Sequence, residues 1–334
     1  MPILSVIIPT HNPHPGRLAR ALDALRAQSL PYESWELLIV DNVSIPAVSV
    51  DFPFSASHFS IVRATPAGLT IARRTGILAS RGDYLVFVDD DNVLAPDYLA
   101  RVLAHFEANP QLGAIGGKSL PEFEQPTPSW WEPEFDGLIA CRDLGSEPLF
   151  ATDASDPQNG RRLYPHCAPI GAGMAVRRAA LQPWLDDPQS RRTPDRRGQE
   201  LTSGGDNDIV FTLLRAGWQV GYFPDLVLTH LIPAGRIQPR YLARLNRAIA
   251  KSWIHVLEKH DANPWPSISP RSFPLRQAKA WFTYRAWSSP AAHIRWQGAC
   301  GHFEGRGAFS LNQEGQTSLG QGTPTPTPRP RSQP

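Results

Sequence analysis

One apolar stretch that ends in three carboxylates limits the folds open to this chain. Residues 84–88 form a short, mostly apolar run between polar residues, which predicts a β-strand buried on both faces. Asp89, Asp90 and Asp91 follow it directly. Carboxylates at the end of a buried strand are unfavourable unless a cation or a donor-rich ligand neutralises them. The alternative is an acidic turn that caps a helix beginning near Pro96.

The chemistry of this acidic triplet favours a metal ion. Carboxylate oxygens suit hard cations such as Mg²⁺ or Mn²⁺. Mg²⁺ typically takes one or two protein carboxylates and completes its shell with phosphate oxygens and water. Because ligands of open α/β sheets bind just outside the carboxyl ends of the strands, the triplet predicts a site for a metal-bridged diphosphate.

Strands and helices alternate along the first half of the chain, which predicts an α/β fold with a doubly wound, mostly parallel sheet. Apolar runs at 4–8, 36–40 and 60–63 are predicted to be further strands. Apolar periodicity predicts helices at 68–82 and 96–106. The chain lacks GxGxxG after its first strand and lacks GxxxxGK[ST], which disfavours a dehydrogenase and a P-loop enzyme.

Charge and cysteine content narrow the class of protein. The 334 residues hold 33 Lys and Arg against 31 Asp and Glu, so the net charge of +2 does not favour nucleic acid as a partner. The 3 cysteines lie far apart without a CxxC pair, which suits a reducing cytoplasm. We find no signal-peptide pattern and no apolar run long enough to span a membrane. We therefore expect a cytoplasmic location, with a peripheral position at the inner face of the membrane as the alternative.

The segment from Pro121 to Pro169 loses clear periodicity and carries aromatic side chains among prolines and acids. Long irregular segments are usually functional or disordered, and aromatic content disfavours disorder. Trp130 and Trp131 could stack on a sugar ring or pack beneath a loop, and the sequence leaves both open. The small residues around Gly173 would let the backbone approach a ligand.

Asp206 and Asp208 form a second acidic group, directly after two glycines at a predicted helix start. The helix dipole favours negative charge in the first turn, so both side chains could serve the helix alone. A carboxylate supplied by a second chain segment could also take a proton as a general base. The sequence alone leaves these two roles open.

The segment from Pro239 to His260 predicts an amphipathic helix with opposed apolar and basic faces. Its basic positions are Arg240, Arg244, Arg247 and Lys251. Such a helix could lie on an anionic membrane surface or cover the catalytic domain, and we favour the second interpretation. We expect a helical extension at 236–310, although 281–309 shows no pattern that can be assigned, and a disordered Pro/Thr-rich tail at 311–334.

Six segments, taken in order, resemble glycosyltransferase family 2, whose members are inverting enzymes of the GT-A fold. They are SVIIPTHN at 5–12, ELLIVDN at 36–42, GLTIARRTGI at 68–77, GDYLVFVDDDN at 82–92, GAGMAV at 171–176 and GGDNDIVFTLLRAGWQVGYFPDLVLTH at 204–230. The resemblance implies a GT-A domain at 1–235. In it, 1–117 would bind the nucleotide sugar and 118–235 would carry the acceptor and catalytic groups.

The same resemblance implies a nucleoside-diphosphate sugar donor, usually UDP-linked, and a divalent metal, Mn²⁺ or Mg²⁺. It implies that Asp91 and His230 bind the metal and that Asp206 is the catalytic base. The donor-binding candidates are Pro9, Thr10, His11, Asn12, Asp41, Asn42, Arg73, Asp89 and Asp90. The candidates for acceptor or secondary contacts are Gly173, Asp208, Trp130 and Trp131.

Two positions depart from the family pattern. Gly205 stands where many relatives have Glu, so an acceptor contact is missing, and Arg74 replaces a usual Asn, which adds positive charge near the donor. We expect a metal-dependent transferase that acts on a sugar or lipid-linked acceptor in cell-surface polysaccharide or glycoconjugate synthesis. The alternatives are a sugar-nucleotidyltransferase, disfavoured by PTHNPHPG after the first strand, and a degenerate nucleotide-sugar-binding protein, favoured only by Gly205.

Overall fold

A mixed β-sheet with helices on both faces organises the chain. The computed structural model describes residues 2–52, 57–193, 195–196 and 200–319, and these include one 9-stranded sheet. The strands are β1 (Leu4–Thr10), β2 (Trp35–Asp41), β3 (Phe59–Arg63), β4 (Tyr84–Phe87), β5 (Asn92–Leu94), β6 (Leu112–Phe123), β7 (Leu149–Ala151), β8 (Ala175–Arg177) and β9 (Gln219–Ile232). The helices are α1 (Pro15–Arg26), α2 (Leu69–Ala79), α3 (Tyr98–Ala108), α4 (Arg178–Asp186), α5 (Gly205–Arg215), α6 (Pro239–Lys259), α7 (Phe273–Thr283) and α8 (Pro290–Leu319).

The two halves of the sheet differ in strand direction. In the first half, β3, β2, β1 and β4 lie side by side and all pair in parallel. Beyond them, β8 is antiparallel to both β4 and β6, while β6 and β9 are parallel. Strands β5 and β7 are antiparallel to different parts of β9. The prediction of a doubly wound α/β sheet with C-terminal helices is confirmed, with antiparallel strands confined to the second half.

Helices cover the central strands on both faces. Every residue of β1 and β2 is buried, as expected for parallel strands between two helical layers. Side chains of α1 and α3 pack on one face of the sheet. Side chains of α2, α4 and α5 pack on the other. This burial holds the carboxyl ends of β1, β2 and β4 in fixed positions.

Two predicted boundaries differ from the structure. The helix expected from Pro96 begins at Tyr98, after a turn. Strand β9 accommodates Pro224 because its ladder with β6 is irregular there, with a register shift between Gly116 and Lys118. Helix α8 runs to Leu319, so the predicted boundary at residue 310 falls inside a helix. Residues 320–334 of the predicted tail lie outside the described residues.

The irregular segment predicted at 121–169 is largely packed rather than extended. It contains β7 and a 3-10 helix at Pro133–Ile139. Phe135 and Ile139 are buried in a cluster with side chains of α6 and α8. Trp130 and Trp131 pack against this cluster as partly buried side chains. The segment therefore joins the sheet to the C-terminal helices.

Helix α6 covers the sheet unit, as the favoured interpretation predicted. Leu242 and Leu245 are buried in the cluster with Phe135, while Val256 and Leu257 pack beside Phe211 of α5. Much of the apolar face of α6 therefore packs inside the protein. No helix among the described residues is long and apolar enough to cross a bilayer.

Glycines bring α8 unusually close to α6. A Cβ built on Gly301 would lie 2.0 Å from the carbonyl oxygen of Arg247, and one built on Gly305 would lie 2.8 Å from Ile254 Cβ. Such distances exclude any side chain unless the helices move apart. The glycines of 281–309, which showed no assignable pattern, are thus explained in part as a helix-packing surface.

Candidate functional site

A cavity of about 280 Å³ opens where the loops after β1, β2 and β4 meet the start of α5. Its lining carries five carboxylates, from Asp89, Asp90, Asp91, Asp195 and Asp206, against three arginines. Predicted site residues in the lining are Pro9, Thr10, His11, Asn42, Arg73, Asp89, Asp90, Asp91, Asp206 and His230. The excess of negative charge suits a cation or a ligand rich in hydrogen-bond donors.

The acidic triplet follows β4, as predicted, and its members have different environments. The hydroxyl of Thr10 donates a hydrogen bond to Asp90. Burial raises the pKa of Asp90 to about 6, and the neighbouring charge of Asp91 adds to the rise. The N–H of Asp89 donates to Asn92 Oδ1 at 3.2 Å, which stabilises the turn between β4 and β5.

Strand pairing brings the two predicted metal ligands together. Asn92 of β5 lies opposite His230 of β9, so His230 Nε2 reaches 3.3 Å from Asp91 Oδ1. Arg236, which sequence reasoning missed, follows in a 3-10 helix at Ala234–Ile237. Its Nη2 lies 3.1 Å from Asp91 Oδ2, and its Nη1 lies 3.1 Å from His230 Nε2. One guanidinium therefore contacts both ligands.

These contacts control the ionisation of Asp91. Burial alone would raise the pKa of Asp91, but the hydrogen bond from His230 and the charge of Arg236 hold it well below its usual range. The carboxylate therefore stays ionised in a largely buried position. It is neutralised by the protein itself before any ligand binds.

Asp91 and His230 fit a divalent cation as part of a ligand set. His230 Nδ1 faces Cys141 Sγ at 3.9 Å, which leaves Nε2 directed toward Asp91. Within the part of the chain that the structure describes, no group of three or more His, Cys, Asp or Glu side chains is arranged to hold a metal. A cation here would need further oxygen ligands, which Mg²⁺ commonly takes from substrate phosphates and water.

Helix α5 presents Asp206 to the same cavity. Asp206 Oδ2 accepts a hydrogen bond from the N–H of Gly171 at 2.8 Å, and Oδ1 accepts one from the N–H of Asn207 at 3.0 Å. The first turn of a helix also favours a negative charge through the helix dipole. Asp206 is therefore oriented by backbone donors while its side chain remains accessible from the cavity.

Asp195 was not predicted, and it occupies space that Gly205 leaves open. A Cβ built on Gly205 would lie 2.3 Å from Asp195 Oδ2. The hydroxyl of Thr70 donates to the same oxygen at 2.9 Å, and Arg73 Nη1 lies 3.9 Å from it. The carboxylate that the sequence lacks at position 205 is thus present beside it, from another segment.

Burial raises the pKa of Asp195 to about 6, against the opposing charge of Arg73, and the charge of Asp206 adds to the rise. The cavity therefore contains a buried carboxyl group, that of Asp195, which binds a proton more readily than an ordinary aspartate does. Such a group can donate a hydrogen bond when protonated and accept one when ionised.

Asn42 organises the donor-side loop of the cavity. Its Nδ2 donates to the carbonyl oxygens of Ala64 and Pro66, both at 3.0 Å, and its Oδ1 accepts from the N–H of Gly68 at 2.6 Å. The ring of His11 contacts the backbone of Asn42, with Nδ1 2.7 Å from the Asn42 carbonyl oxygen. These bonds fix the wall of the cavity that precedes α2.

Three residues expected near the donor lie outside the lining. Asp41 is buried and accepts hydrogen bonds from the N–H groups of Ser44 and Val48. Asn12 Oδ1 accepts from the N–H of Ile45 at 2.8 Å. Asp41 and Asn12 therefore hold the loop after β2. Arg74 was expected to add positive charge near the donor. Its side chain instead points toward α4, where Nη2 donates a hydrogen bond to the carbonyl oxygen of Leu185.

The acceptor-side candidates also lie away from the cavity lining. Gly173 has a φ of +75°, and a Cβ there would lie 2.5 Å from Leu228 Cδ2 and 2.7 Å from the hydroxyl of Tyr98. Glycine is needed for backbone geometry and close packing at this point. Trp130 and Trp131 pack edge-on against Phe135, so their rings belong to the cluster beneath α6.

Asp208 is fully buried in an ion cluster outside the cavity. Lys259 Nζ and His260 Nε2 each lie 2.7 Å from its Oδ1, while the Trp184 indole and the Thr193 hydroxyl donate to Oδ2. Burial alone would raise the pKa of Asp208, but the hydrogen bond from His260 and the charge of Lys259 lower it. This residue joins α5 to the end of α6.

Sequence comparison places the chain among transferases. A family model described as Glycosyl transferase family 2 matches residues 5–182, more than half of the 334 residues. An N-acetylglucosaminyltransferase of Rhizobium meliloti is 25% identical over 238 residues, which cover 70% of this chain and 52% of that protein. An uncharacterized glycosyltransferase of Haemophilus influenzae is 32% identical over 113 residues, covering 34% of this chain and 37% of the relative. The chain spans about half or less of the length of these curated relatives.

Solved structures align along most of the chain at low identity. A mannosyltransferase, PcManGT from Pyrobaculum calidifontis in complex with GDP-Man and Mn²⁺, is 17% identical with a TM-score of 0.48, covering 95% of this chain and 81% of that one. S. aureus TarS 1-349 is 13% identical with a TM-score of 0.46, covering 94% and 92%.

Proposed function

The chain belongs to glycosyl transferase family 2, and from that premise we propose that it transfers a sugar from a nucleoside-diphosphate sugar to an acceptor hydroxyl. The meeting of two acidic groups in one cavity carries this proposal. Asp91, with His230 and Arg236, and Asp206, from α5, line that cavity from separate chain segments. One group can neutralise a charged leaving group through a cation, while the other can accept a proton.

The donor would bind in the loops after β1, β2 and β4. Thr10, His11, Asn42, Asp89 and Asp90 all line the cavity. The nucleoside would lie against the first three, and the ribose and diphosphate would lie near the two aspartates. Arg73 supplies a guanidinium suited to a phosphate oxygen. A UDP-linked sugar is the expected donor, and UDP-N-acetylglucosamine is the first to test because the Rhizobium meliloti relative is named an N-acetylglucosaminyltransferase.

The reaction would be a single displacement with inversion. The acceptor oxygen attacks the anomeric carbon as the bond from that carbon to the diphosphate oxygen breaks, and the nucleoside diphosphate leaves with that electron pair. Asp206 would take the proton of the attacking hydroxyl. The two backbone N–H groups that bind Asp206 keep its oxygens in position for this transfer.

The proposal includes a divalent cation, Mn²⁺ or Mg²⁺, bound by Asp91 and His230. When bound, it would stabilise the negative charge that develops on the leaving diphosphate. Arg236 contacts both of these ligands, so it would release them when the cation and donor arrive. Its planar guanidinium would then be available to a phosphate oxygen.

On the acceptor side, Asp195 would supply the carboxylate that Gly205 lacks. It lines the cavity beside Asp206 and is held by Thr70. A carboxyl group at this point can hydrogen-bond a hydroxyl of a sugar or lipid-linked acceptor. The expected biological setting is the synthesis of cell-surface polysaccharide or glycoconjugates, as the family resemblance suggests.

The test is incubation of the full chain with a panel of UDP-, GDP- and dTDP-sugars and Mn²⁺, while nucleoside diphosphate release is measured. Release that depends on the sugar nucleotide is expected. Pyrophosphate release from a nucleoside triphosphate and a sugar phosphate would instead indicate a sugar-nucleotidyltransferase. Binding without any release would indicate a degenerate binding protein.

The Asp91→Ala variant tests the cation site separately. It should lose Mn²⁺-dependent nucleotide binding in calorimetry while keeping its fold, because this carboxylate would hold the cation that neutralises the diphosphate. Asp83→Ala is the matched control, since Asp83 is exposed at the other end of β4. Equal nucleotide affinity in both variants, with and without EDTA, would refute the assignment of Asp91.

A further inference from the structure

The outer side of α7 is apolar although it faces solvent. Leu275 and Phe282 are 78% and 68% exposed, and Trp287, in the turn that follows α7, is 55% exposed. Positions 275, 278 and 282 lie on one side of the helix because they are spaced by three and four residues. The rings of Phe282 and Trp287 contact each other at 5.8 Å, so the exposed side chains form one surface.

The inner side of α7 is firmly packed, so this exposure does not come from a detached helix. The Trp281 ring lies 4.7 Å from the Trp296 ring of α8, and Trp296 Nε1 donates to the carbonyl of Gln277 at 3.0 Å. Phe273 fits against Gly307, where a Cβ would lie 2.2 Å from the Phe273 ring. The protein therefore holds Leu275 and Phe282 outward on a rigid support.

The charge around this surface has a single sign. Residues 262–303 contain no Asp or Glu, although the chain as a whole has nearly equal numbers of acidic and basic residues. The basic residues in this range are Arg271, Arg276, Lys279, Arg285 and Arg295. Arg295 pairs with Glu132 and Glu134. Among the described residues, the other four have no carboxylate partner within ion-pair distance.

A basic groove runs beside the apolar stripe. It has a volume of about 630 Å³ between α7, α8 and α6, and its lining includes Arg276, Lys279, Tyr284 and His302. Arg276 Nε bonds only the Ser272 hydroxyl, at 3.0 Å, and retains further N–H donors. A phosphate group matches these donors in charge and size.

We propose that this surface binds an anionic phospholipid bilayer. The surface, here named the α7 patch, consists of Leu275, Phe282, Tyr284, Trp287, Arg271, Arg276, Lys279 and Arg285. Apolar and aromatic side chains flanked by unpaired cations are the pattern of an interfacial helix, in which the rings enter the headgroup region and the cations bind lipid phosphates. The groove accepts one headgroup phosphate, and the stripe enters the acyl boundary.

A second copy of the chain fits this surface less well. Two α7 patches facing each other would place their cations together without any acidic residue from 262–303 to neutralise them. The patch is also distinct from the basic face of α6. Leu242 and Leu245 of α6 are buried, and Arg247 is engaged by Glu304.

The experiment is flotation of the full chain with vesicles of pure phosphatidylcholine and of phosphatidylcholine containing 30 mol% phosphatidylglycerol. Binding to the anionic vesicles is expected, with little binding to the neutral ones. Two variants separate apolar from charge contributions: Leu275→Ser with Phe282→Ser, and Arg276→Glu with Lys279→Glu. Each should lower the partition coefficient by roughly tenfold or more. Arg240→Glu with Arg244→Glu on α6 is the matched control and should bind within about threefold of the unaltered chain.

Circular dichroism and thermal melting check that each variant is folded, which is expected because the altered side chains are exposed. The proposal is overturned if the unaltered chain ignores anionic vesicles, or if both patch variants bind them as well as it does. It is also overturned if light scattering shows a dimer that the patch variants convert to a monomer, since a second copy would then be the occupant.

Discussion

Asp206 and Asp208 lie two residues apart on α5 and have opposite environments. Asp208 forms ion pairs with Lys259 and His260 and accepts hydrogen bonds from the Trp184 indole and the Thr193 hydroxyl. Its charge is therefore balanced inside the protein. Asp206 is bonded by two backbone N–H groups and lines a cavity that already holds an excess of carboxylates. The contrast shows that two acidic residues in one motif can have different roles. One carboxylate stabilises the fold, and the other remains available to a ligand.

Asp91 is intermediate between these two cases. It is buried like Asp208 and has an arginine partner, yet it lines the cavity like Asp206. Its partner Arg236 comes from a short 3-10 helix, whereas the basic partners of Asp208 come from the end of α6. In the function proposed here, Arg236 is therefore the neutralising group that a divalent cation would replace at Asp91.

The largest effect should come from Asp206→Asn. Turnover, measured as nucleoside diphosphate release from the donor that the panel identifies, should fall by roughly 10²-fold or more, the usual scale for a lost general base. Donor affinity and melting temperature should stay near those of the unaltered chain, because no ion pair is lost. Release within a few-fold of normal would remove Asp206 from the catalytic role.

Asp208→Asn should act on stability instead. The free energy of unfolding should fall by about 3 kcal/mol, since Lys259 and His260 would lose a buried partner. The folded-state pKa of Asp208 is lowered, so its contribution is present above its unfolded pKa near 3.9 and is lost as the pH falls toward the folded value. Urea titrations at pH 7, 5 and 4 should show a constant difference that begins to close at pH 4. Asp83→Asn, at an exposed position, serves as the control. If both variants lose the same free energy of unfolding, the ion cluster around Asp208 does not stabilise the protein.

The pairing of Gly205 with Asp195 can be tested by exchange. Gly205→Glu alone should destabilise the protein by about 1–3 kcal/mol, because the new side chain enters the space of the Asp195 carboxylate. Adding Asp195→Ala should restore part of this loss, with a coupling above about 0.5 kcal/mol in a double-mutant cycle. Losses that simply add would show that the two positions do not share one space.

The smallest effect should be the response of Mn²⁺ binding to Arg236→Gln. Affinity for Mn²⁺ alone, measured by electron paramagnetic resonance without nucleotide, should rise by roughly tenfold because a competing positive charge leaves the two ligands. Arg240→Gln, an exposed change on α6, should leave the affinity unchanged. A weaker or equal Mn²⁺ affinity in Arg236→Gln would show that Arg236 does not compete with the cation for Asp91 and His230.

Much of the fold and part of the site followed from local sequence patterns. Apolar runs predicted β1, β2 and β4, and the rule that ligands bind at strand ends placed Asp89 to Asp91 at the cavity. These inferences succeed because burial of a parallel strand requires consecutive apolar residues. The position of Asp91 relative to β4 is a matter of chain neighbours, which the sequence displays directly.

The remaining features depend on contacts between distant segments. Asp195 meets Gly205 and Thr70 through a loop without periodicity, and the only signal was an unusual glycine in an otherwise acidic motif. Asp208 looked like a helix-start residue because its partners lie at the end of α6. The glycines of α8 had no meaning until the opposing surface of α6 was known.

The ion cluster around Asp208 can form only late in synthesis, because its partners lie far along the chain. The ribosome delivers Asp208 51 residues before Lys259 and 52 residues before His260. Nascent chains generally fold from the N-terminal end, so the strands through β9 emerge while this carboxylate has no counterion. We therefore expect the sheet to gain the stabilisation from this ion cluster only after the last turn of α6 has left the exit tunnel.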